Sequence, residues 1–451
     1  MSARQNDSVR LACGSAFGDD RISLAVDMAA RGNVSYICLD GLAERTLALA
    51  HQRRDPVTGE GSFDVRIPEL TETLLPVAVE KGITLIANMG AANPAAAGRY
   101  VAEQARNKGL KVRVAVIEGD DVTSWARDND PIVKETGRPV SELPGAIIAA
   151  NAYTGADSIL EALEQGATVI LGGRLADPSL YVAPIAYELG WSLDSWDRIG
   201  AATAVGHLLE CGGHVTGGNF ADPPYRVVES FQRLSMPLAE VRKDGTAVVS
   251  KLADTDGLLN VETCKVQLGY EIHDPENYLT PDVTADFRNV TLTQTAEGVA
   301  VAGATGRARP EQLKALVAMD DGFLAEAQVS FAGPGALARA QLAETIVKGW
   351  LEEVVAGGKV AEIKTDLLGI NSMLGPVSEP RGEPWEVHLR LAARCLDRHT
   401  AQLVAEAGQY IQVCGPAAVG GHRMSIKPVV GMYTFFVPRE AIKGSVHFVE
   451  A

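Results

Sequence analysis

Short apolar runs alternate with amphipathic stretches along the N-terminal part of the chain. The runs are rich in β-branched residues and are too short for helices, whereas the stretches between them carry apolar residues at helical spacing. The predicted strands cover residues 9–13, 34–39, 83–87, 112–117, 146–150 and 168–171. Helical patterns such as 94–108 and 157–165 separate them. This alternation predicts an α/β fold with a mainly parallel, doubly wound sheet, and a barrel-like closure is the alternative.

The pattern changes from about Trp191, and after a helical stretch at 203–210 Gly-rich turns replace the regular alternation. A long helix over 336–355 then begins a strand–helix–strand order, which predicts a small α+β domain of split βαβ character. We therefore expect three parts: an N-terminal α/β domain over 1–200, a Gly-rich middle segment over 201–335 that completes the site, and a C-terminal α+β domain over 336–451.

The predicted strands end in Gly, Asn and Asp residues. Ligands of open α/β sheets bind beyond the carboxyl ends of the strands, so these residues are candidates for substrate binding. Asp40 and Asn88 follow the second and third predicted strands, and the stretches 118–121 and 172–177 follow two later ones. Each residue on its own is typical of a turn, but the set as a whole favours a ligand site.

Arg174 and Asp177 lie in the last of these strand ends, just before Pro178 begins the next predicted helix. The planar guanidinium of Arg174 is suited to bind a carboxylate or a phosphate through two hydrogen bonds. Asp177 is either a substrate-binding residue or the N-cap of the helix.

The segment 206–222 holds the densest mix of chemically active side chains in the sequence. His207 and Glu210 are candidates for general acid and base at the end of a predicted helix. Two glycines end this helix before His214, and the spacing is not that of an HExxH metal site, so we expect no metal there. Cys211 is a candidate nucleophile, with a small buried thiol as the alternative.

Two Gly-Gly pairs in the same segment indicate a backbone that approaches a ligand closely or an inert turn. Their N–H groups could stabilise negative charge that develops during a reaction. These substrate-binding candidates are Gly212, Gly213, Gly217, Gly218 and the adjacent Asn219. A further base candidate, His273, precedes Asp274 in a proline-containing loop, and loops often carry function.

Composition narrows the range of functions. The chain has 451 residues, of which 46% are hydrophobic, and a net charge of -16. This charge argues against a nucleic-acid partner, because phosphate binding needs basic patches. No apolar stretch is long enough to span a bilayer, so we expect no membrane partner. The six cysteines form no CxxC pair, which predicts reduced thiols, a cytoplasmic location and no structural zinc.

The sequence lacks the common cofactor fingerprints. The turn at 14–20 has neither the third glycine of a dinucleotide-binding motif nor the GK[ST] of a phosphate-binding loop. We therefore predict no cofactor, with coenzyme A entering only as part of a substrate. A weakly held Mg²⁺ or Mn²⁺ at Asp and Glu side chains is left open.

Long motifs throughout the chain resemble those of the acyclic-terpene-utilisation A family. The motifs are AFGDDR, YICLDGLAERTLA, GITLIANMGAANP, GGRLADPSL, VGHLLECGGHVTGGNFADP, YEIHDPENYLTPDV, INSM, EVHLRLAAR and FFVPREA. The resemblance covers nearly the whole chain. It implies a relation to bacterial growth on citronellol and geraniol, a pathway in which branched acyl-CoA thioesters are carboxylated, hydrated and cleaved. It also makes His214 a poorer site candidate than His207.

Two hypotheses follow for the function. In the first, the chain is an enzyme of branched acyl-CoA or carboxylic-acid catabolism, with a lyase as the favoured class, whose substrate is a small organic anion or an acyl-CoA. In the second, it is a non-catalytic binding or scaffold subunit that needs a small partner protein. The apolar C-terminal strands and the long Ala/Leu-rich helix at 336–355 also predict a homo-oligomer, since such faces need covering.

Overall fold

A computed structural model describes residues 6–53, 60–377 and 382–450. The strands are β1 (Ser8–Ser15), β2 (Tyr36–Leu39), β3 (Thr84–Ala87), β4 (Arg113–Glu118), β5 (Ile147–Ala152), β6 (Val169–Gly172), β7 (Pro237–Arg242), β8 (Ala247–Lys251), β9 (Tyr278–Leu279), β10 (Thr284–Asp286), β11 (Thr291–Gln294), β12 (Val299–Ala302), β13 (Thr305–Arg307), β14 (Gln312–Ala332), β15 (Val360–Leu368), β16 (Glu386–Cys395), β17 (Val419–Pro438) and β18 (Ser445–Glu450). The helices are α1 (Ile22–Arg31), α2 (Glu44–Gln52), α3 (Ile67–Glu69), α4 (Leu75–Lys81), α5 (Pro94–Asn107), α6 (Thr123–Asn129), α7 (Ala156–Glu164), α8 (Ser179–Leu189), α9 (Trp196–Glu210), α10 (Val261–Leu268), α11 (Ala336–Ala356) and α12 (Arg398–Cys414).

A large mixed sheet contains ten strands in the order β11-β12-β8-β7-β1-β2-β3-β6-β4-β18. The five neighbouring strands β1, β2, β3, β6 and β4 are parallel, and they are the ones that the apolar runs predict. Their side chains are almost all buried, as expected for strands covered on both faces. The predicted α/β fold class is therefore confirmed.

The chain path explains how both faces of this sheet are covered. It steps outward through β1, β2, β3 and β4 and then returns to place β6 between β3 and β4. Because crossover connections are right-handed, helices of the outward path and of the return path lie on opposite faces. α1 packs against α4, whereas α8 packs against α7 and α9. This is the doubly wound arrangement.

Two features of the sheet differ from a simple series of βαβ units. β5, predicted to follow β4 in the series, lies outside the large sheet and pairs with β14. The middle segment 201–335, in contrast, supplies β7, β8, β12 and β11, which continue the large sheet in antiparallel order beyond β1. An apolar run indicates a strand but does not indicate its partner, since pairing depends on residues far apart in sequence.

The described chain forms two compact units. The first comprises residues up to 141, 148–317 and 433–450, and the second comprises 142–147 and 318–432. In the second unit a sheet has the order β15-β16-β14-β17, and α11 and α12 supply residues to its core. The chain order β14-α11-β15-β16-α12-β17 is the split βαβ arrangement that the sequence predicts. Along β16 every second side chain is buried, as on a sheet with one covered face.

None of the described helices combines the length and the apolar composition that a membrane crossing requires.

Candidate active site

Asp40 and Asn88 lie side by side where β2 and β3 end. The Asn88 side-chain amide donates to Asp40 Oδ1 at 2.6 Å, and Asn88 Oδ1 accepts from the Gly41 N–H at 2.8 Å. Both side chains are buried. Burial raises the pKa of Asp40 well above 3.8, and the Asp177 carboxylate adds to this rise, although Arg174 and Asn88 oppose it. The hydrogen bond from Asn88 thus fixes the position of the Asp40 carboxyl group, which keeps its proton more readily than that of an ordinary aspartate.

Arg174 follows β6, and its buried guanidinium forms an ion pair with the partly exposed Asp177. Its Nη1 donates to Asp177 Oδ1 at 2.6 Å and to the Leu175 carbonyl at 3.1 Å. The guanidinium carbon lies 4.0 Å from the centre of the Tyr153 ring. Burial alone would lower the pKa of Arg174, but Asp177, Tyr153 and Asp40 together raise it, so the group stays charged. Its carboxylate partner within the protein is Asp177, and binding of a substrate carboxylate stays a prediction.

A close contact between α9 and the segment that follows β6 brings Glu210 into the region of Asp177. At Gly206 a Cβ atom would lie 2.9 Å from the Pro178 carbonyl oxygen, which is shorter than ordinary contact. Gly206 therefore lets the helix approach the backbone next to Asp177. Glu210 lies one helical turn further on, and the Asp177 charge acts on its carboxyl group.

His207 and Glu210 form a buried pair at the end of α9. His207 Nδ1 lies 2.8 Å from Glu210 Oε1, and the two side chains are 1% and 7% exposed. The carbonyl of His207 accepts a hydrogen bond from the Gln267 side chain at 2.9 Å, and its ring packs on Tyr278. Burial raises the pKa of Glu210, with Asp177 and Glu271 adding to the rise, while His207 opposes it. The hydrogen bond between the two side chains thus holds both of them in fixed positions.

Polar atoms without a protein partner gather around this pair. Buried polar atoms are nearly always hydrogen-bonded, so unpaired ones point to water or a ligand. In the described ranges, five such atoms belong to residues of this region: Arg174 Nε, His207 Nε2, Glu210 Oε2, His214 Nδ1 and Gln267 Oε1. We name Asp40, Asn88, Arg174, Asp177, His207 and Glu210 the strand-end cluster.

Further polar residues, centred on Asp120, hold the backbone of Arg174 in place. The Arg174 N–H donates to Asp120 Oδ2 at 2.8 Å, and the Asn151 side chain donates to the same oxygen at 2.8 Å. His51 Nε2 lies 3.2 Å from Asn151 Oδ1. Burial raises the pKa of Asp120, although these hydrogen bonds oppose the rise. Arg174 is thus anchored through its backbone as well as through its side chain.

Three residues of this site are absent from the sequence-based candidates. Tyr153 stacks on Arg174 and donates to Glu44 Oε1 at 2.5 Å. Gln267 lies in α10, and Tyr278 lies in the short strand β9. Tyr153 comes directly after β5, so a strand-end search could have found it. Gln267 and Tyr278 carry no such signal, because only the folded chain brings them to His207.

Some predicted residues lie away from the cluster. His273 and Asn219 are exposed, and we see no contact between either of them and the cluster within the described ranges. The N–H groups of Gly217 and Gly218 donate to the carbonyls of His214 and Gly213. These two groups therefore complete a turn rather than point at a ligand.

Gly212 and Cys211 lie at the end of α9. Gly212 is buried with a φ of 52°, a conformation that suits glycine, and lies next to Ala16 at the end of β1. Burial raises the pKa of the Cys211 thiol, and the Glu210 charge raises it further. A thiol that keeps its proton is a poor nucleophile. The raised pKa of the buried thiol thus argues against the nucleophilic role considered for Cys211.

The part of the chain that the structure describes contains no group of three or more His, Cys, Asp or Glu residues arranged to hold a metal ion.

Comparison with known proteins identifies the family. A family model described as "Acyclic terpene utilisation family protein AtuA" matches residues 9–448. The chain belongs to the AtuA family. The match spans both compact units, as the sequence motifs predict, and the family name indicates a catabolic role in acyclic terpene utilisation. No curated protein and no solved structure matches the chain.

Proposed function

We propose that this AtuA-family protein is a lyase of branched acyl-CoA or carboxylic-acid catabolism. It would add or remove water, or cleave a carbon–carbon bond, in a β-hydroxyacyl substrate. The observation that carries the proposal is the buried His207–Glu210 pair, in which His207 Nε2 and Glu210 Oε2 have no partner in the described part of the protein. One atom on each side chain is thus available for proton transfer with a substrate.

The pair has the arrangement of an oriented general base. When Glu210 is ionised, His207 Nδ1–H donates to it, and Nε2 of the neutral ring can then accept a proton. The carboxylate stabilises the imidazolium that forms. Since the pair is almost fully buried, its electrostatic interactions are stronger than they would be in water.

The two reactions of a β-hydroxyacyl group both use such a base. In cleavage, His207 takes the hydroxyl proton, the Cα–Cβ bond breaks, a carbonyl compound leaves, and the remaining enolate is protonated. In dehydration, His207 takes the α-proton, the Cβ–O bond breaks, and the hydroxyl group leaves as water after receiving a proton. Asp40 is suited to supply that proton, because burial raises its pKa.

Asp177 is the most exposed member of the strand-end cluster. The Asp177 side chain is 31% exposed, whereas those of Arg174 and His207 are 4% and 1% exposed. We propose that the substrate enters on the side of Asp177, whose charge acts on Glu210, while the buried members of the cluster stay shielded from water.

A panel of branched β-hydroxyacyl-CoA thioesters and the matching free acids tests the proposal. The purified protein is incubated with each compound in D₂O, and products and α-deuteration are followed by mass spectrometry. We expect hydration, dehydration or cleavage of at least one compound. A protein that neither converts nor deuterates any of them is not a lyase of this class.

A further inference from the structure

The charges around the His207–Glu210 pair are unbalanced. In the strand-end cluster, Asp177 and the ionised form of Glu210 that the lyase proposal uses are two negative charges, and Glu271 acts on Glu210 from an exposed position. Asp40 adds a third carboxyl group, but burial favours its protonated form. Arg174 brings one positive charge to the cluster, and Asp177 already binds its Nη1. The cluster is therefore acidic before any substrate arrives.

The neighbouring ionisable groups do not reverse this balance. Lys314 lies at the rim, where its Nζ is 3.6 Å from Glu44 and 4.7 Å from the centre of the Tyr153 ring. Glu44 thus offsets the charge of Lys314. Arg66 lies against Gly41, next to Asp40, and Asp64 offsets its charge through an ion pair at 2.6 Å. Burial favours the neutral forms of Cys211, His214 and Tyr278.

We propose that this site binds the acyl group of its substrate in a neutral form, as a thioester, and discriminates against the free carboxylate. The inference rests on the lyase proposal and narrows its substrate class. A free carboxylate next to Glu210 would add one more negative charge to the acidic cluster, where burial weakens the screening by water. A thioester carbonyl adds no charge and still accepts a hydrogen bond.

The unpaired atoms of the cluster fit a neutral β-hydroxyacyl group. Arg174 Nε is a donor without a partner among the described residues, and it suits the acyl carbonyl. Glu210 Oε2 and His207 Nε2 are acceptors for the β-hydroxyl group when Nδ1 carries the ring proton. A carboxylate in place of the thioester would keep the first interaction but face Asp177 and Glu210 with a like charge.

Two ligands of nearly equal shape isolate the effect of charge. The probes are 3-hydroxy-3-methylbutanamide and 3-hydroxy-3-methylbutanoate, with the uncharged N-acetylcysteamine thioester of the same acid as a third. Binding is measured near pH 7.5 by calorimetry or ligand-observed NMR. We expect the amide and the thioester to bind at least about tenfold more tightly than the acid.

Asp177→Asn tests whether the cluster causes this preference. The substitution removes one negative charge and loosens the hold on Arg174, so the gap between amide and acid should shrink at least about threefold. Glu164→Gln is the matched control, because it also removes one negative charge. Glu164 is exposed at the end of α7, just before β6 begins, whereas the cluster lies where the strands end. Glu271→Gln, at an exposed position, gives a second test if Asp177→Asn folds poorly.

The outcomes separate this inference from the lyase proposal. If the acid binds as tightly as the amide, or more tightly, the preference for a neutral acyl group is overturned. The lyase proposal is then still judged by the turnover assay in D₂O. The preference for the amide over the acid could also stay the same in all three variants, Asp177→Asn, Glu271→Gln and Glu164→Gln. That result overturns the assignment of the preference to this cluster. Failure of all three probes to bind counts against both proposals.

Discussion

Gly206 lies against Pro178, at a distance that leaves no room for a side chain: a Cβ atom on Gly206 would be 2.9 Å from the Pro178 carbonyl oxygen and 3.1 Å from its Cα. This contact joins α9 to the strand end that carries Arg174 and Asp177. It sets the position of Glu210 one turn later in the helix. The geometry of the candidate site therefore depends on a residue that has no chemical group of its own.

Gly206→Ala should destabilise the protein and impair its activity together. The added methyl group would overlap backbone atoms of Pro178, which cannot change rotamer as a side chain can. We therefore expect a loss of about 1–3 kcal/mol in the free energy of unfolding. Gly349→Ala in α11 is the control, because nothing lies within 4 Å of its Cβ position. That change should stabilise its helix by roughly 0.5–1 kcal/mol. Chemical denaturation measures both, and equal effects of the two variants would contradict the packing argument.

Glu210→Gln should remove turnover and leave the fold intact. The amide keeps the size of the side chain but can neither stabilise an imidazolium nor accept a proton, so we expect a fall in kcat/KM of at least about 100-fold. Burial disfavours the Glu210 charge, and the melting temperature should therefore hold or rise. Glu164→Gln is the control and should keep the native activity. Full activity in Glu210→Gln as well would show that Glu210 takes no part in the reaction.

Asp40→Asn should change how stability depends on pH. The pKa of Asp40 is raised in the folded protein, so its contribution is fully present below the ordinary value of 3.8 and is lost as pH rises through the folded pKa. The amide of the variant cannot ionise, yet its oxygen could accept the same hydrogen bonds. The stability of the variant relative to the native protein should thus increase with pH above about 4 and level off above the folded pKa. Denaturation curves at several pH values measure this, and parallel curves would show that Asp40 does not titrate in this way.

Cys211 should react slowly and should be dispensable. Burial raises the pKa of its thiol, whereas Cys414 is exposed at the end of α12. Iodoacetamide at neutral pH should therefore label Cys414 well before Cys211, which mass spectrometry of the digested protein can follow. Cys211→Ala should retain most of the native turnover. Loss of activity on selective labelling of Cys211 would restore the nucleophilic hypothesis.

Local sequence patterns were enough to predict the parallel strands and to name all six residues of the strand-end cluster as candidates. Apolar runs of strand length, separated by helical periodicity, specify β1, β2, β3, β6 and β4, because that periodicity is a local property of the chain. The rule that ligands bind at the carboxyl ends of parallel strands then indicated Asp40, Asn88 and Arg174 before any contact was known.

The contacts that these residues make became known only from the folded chain. Folding places β5 beside β14 and the middle strands beside β1, and it brings Tyr153, Gln267 and Tyr278 to the cluster. It also leaves His273 exposed, although its sequence context is that of a base. Strand pairing, burial and shifts in pKa depend on groups that are far apart in sequence. Local patterns therefore identify which side chains are available, and packing determines which of them form a hydrogen-bonded pair.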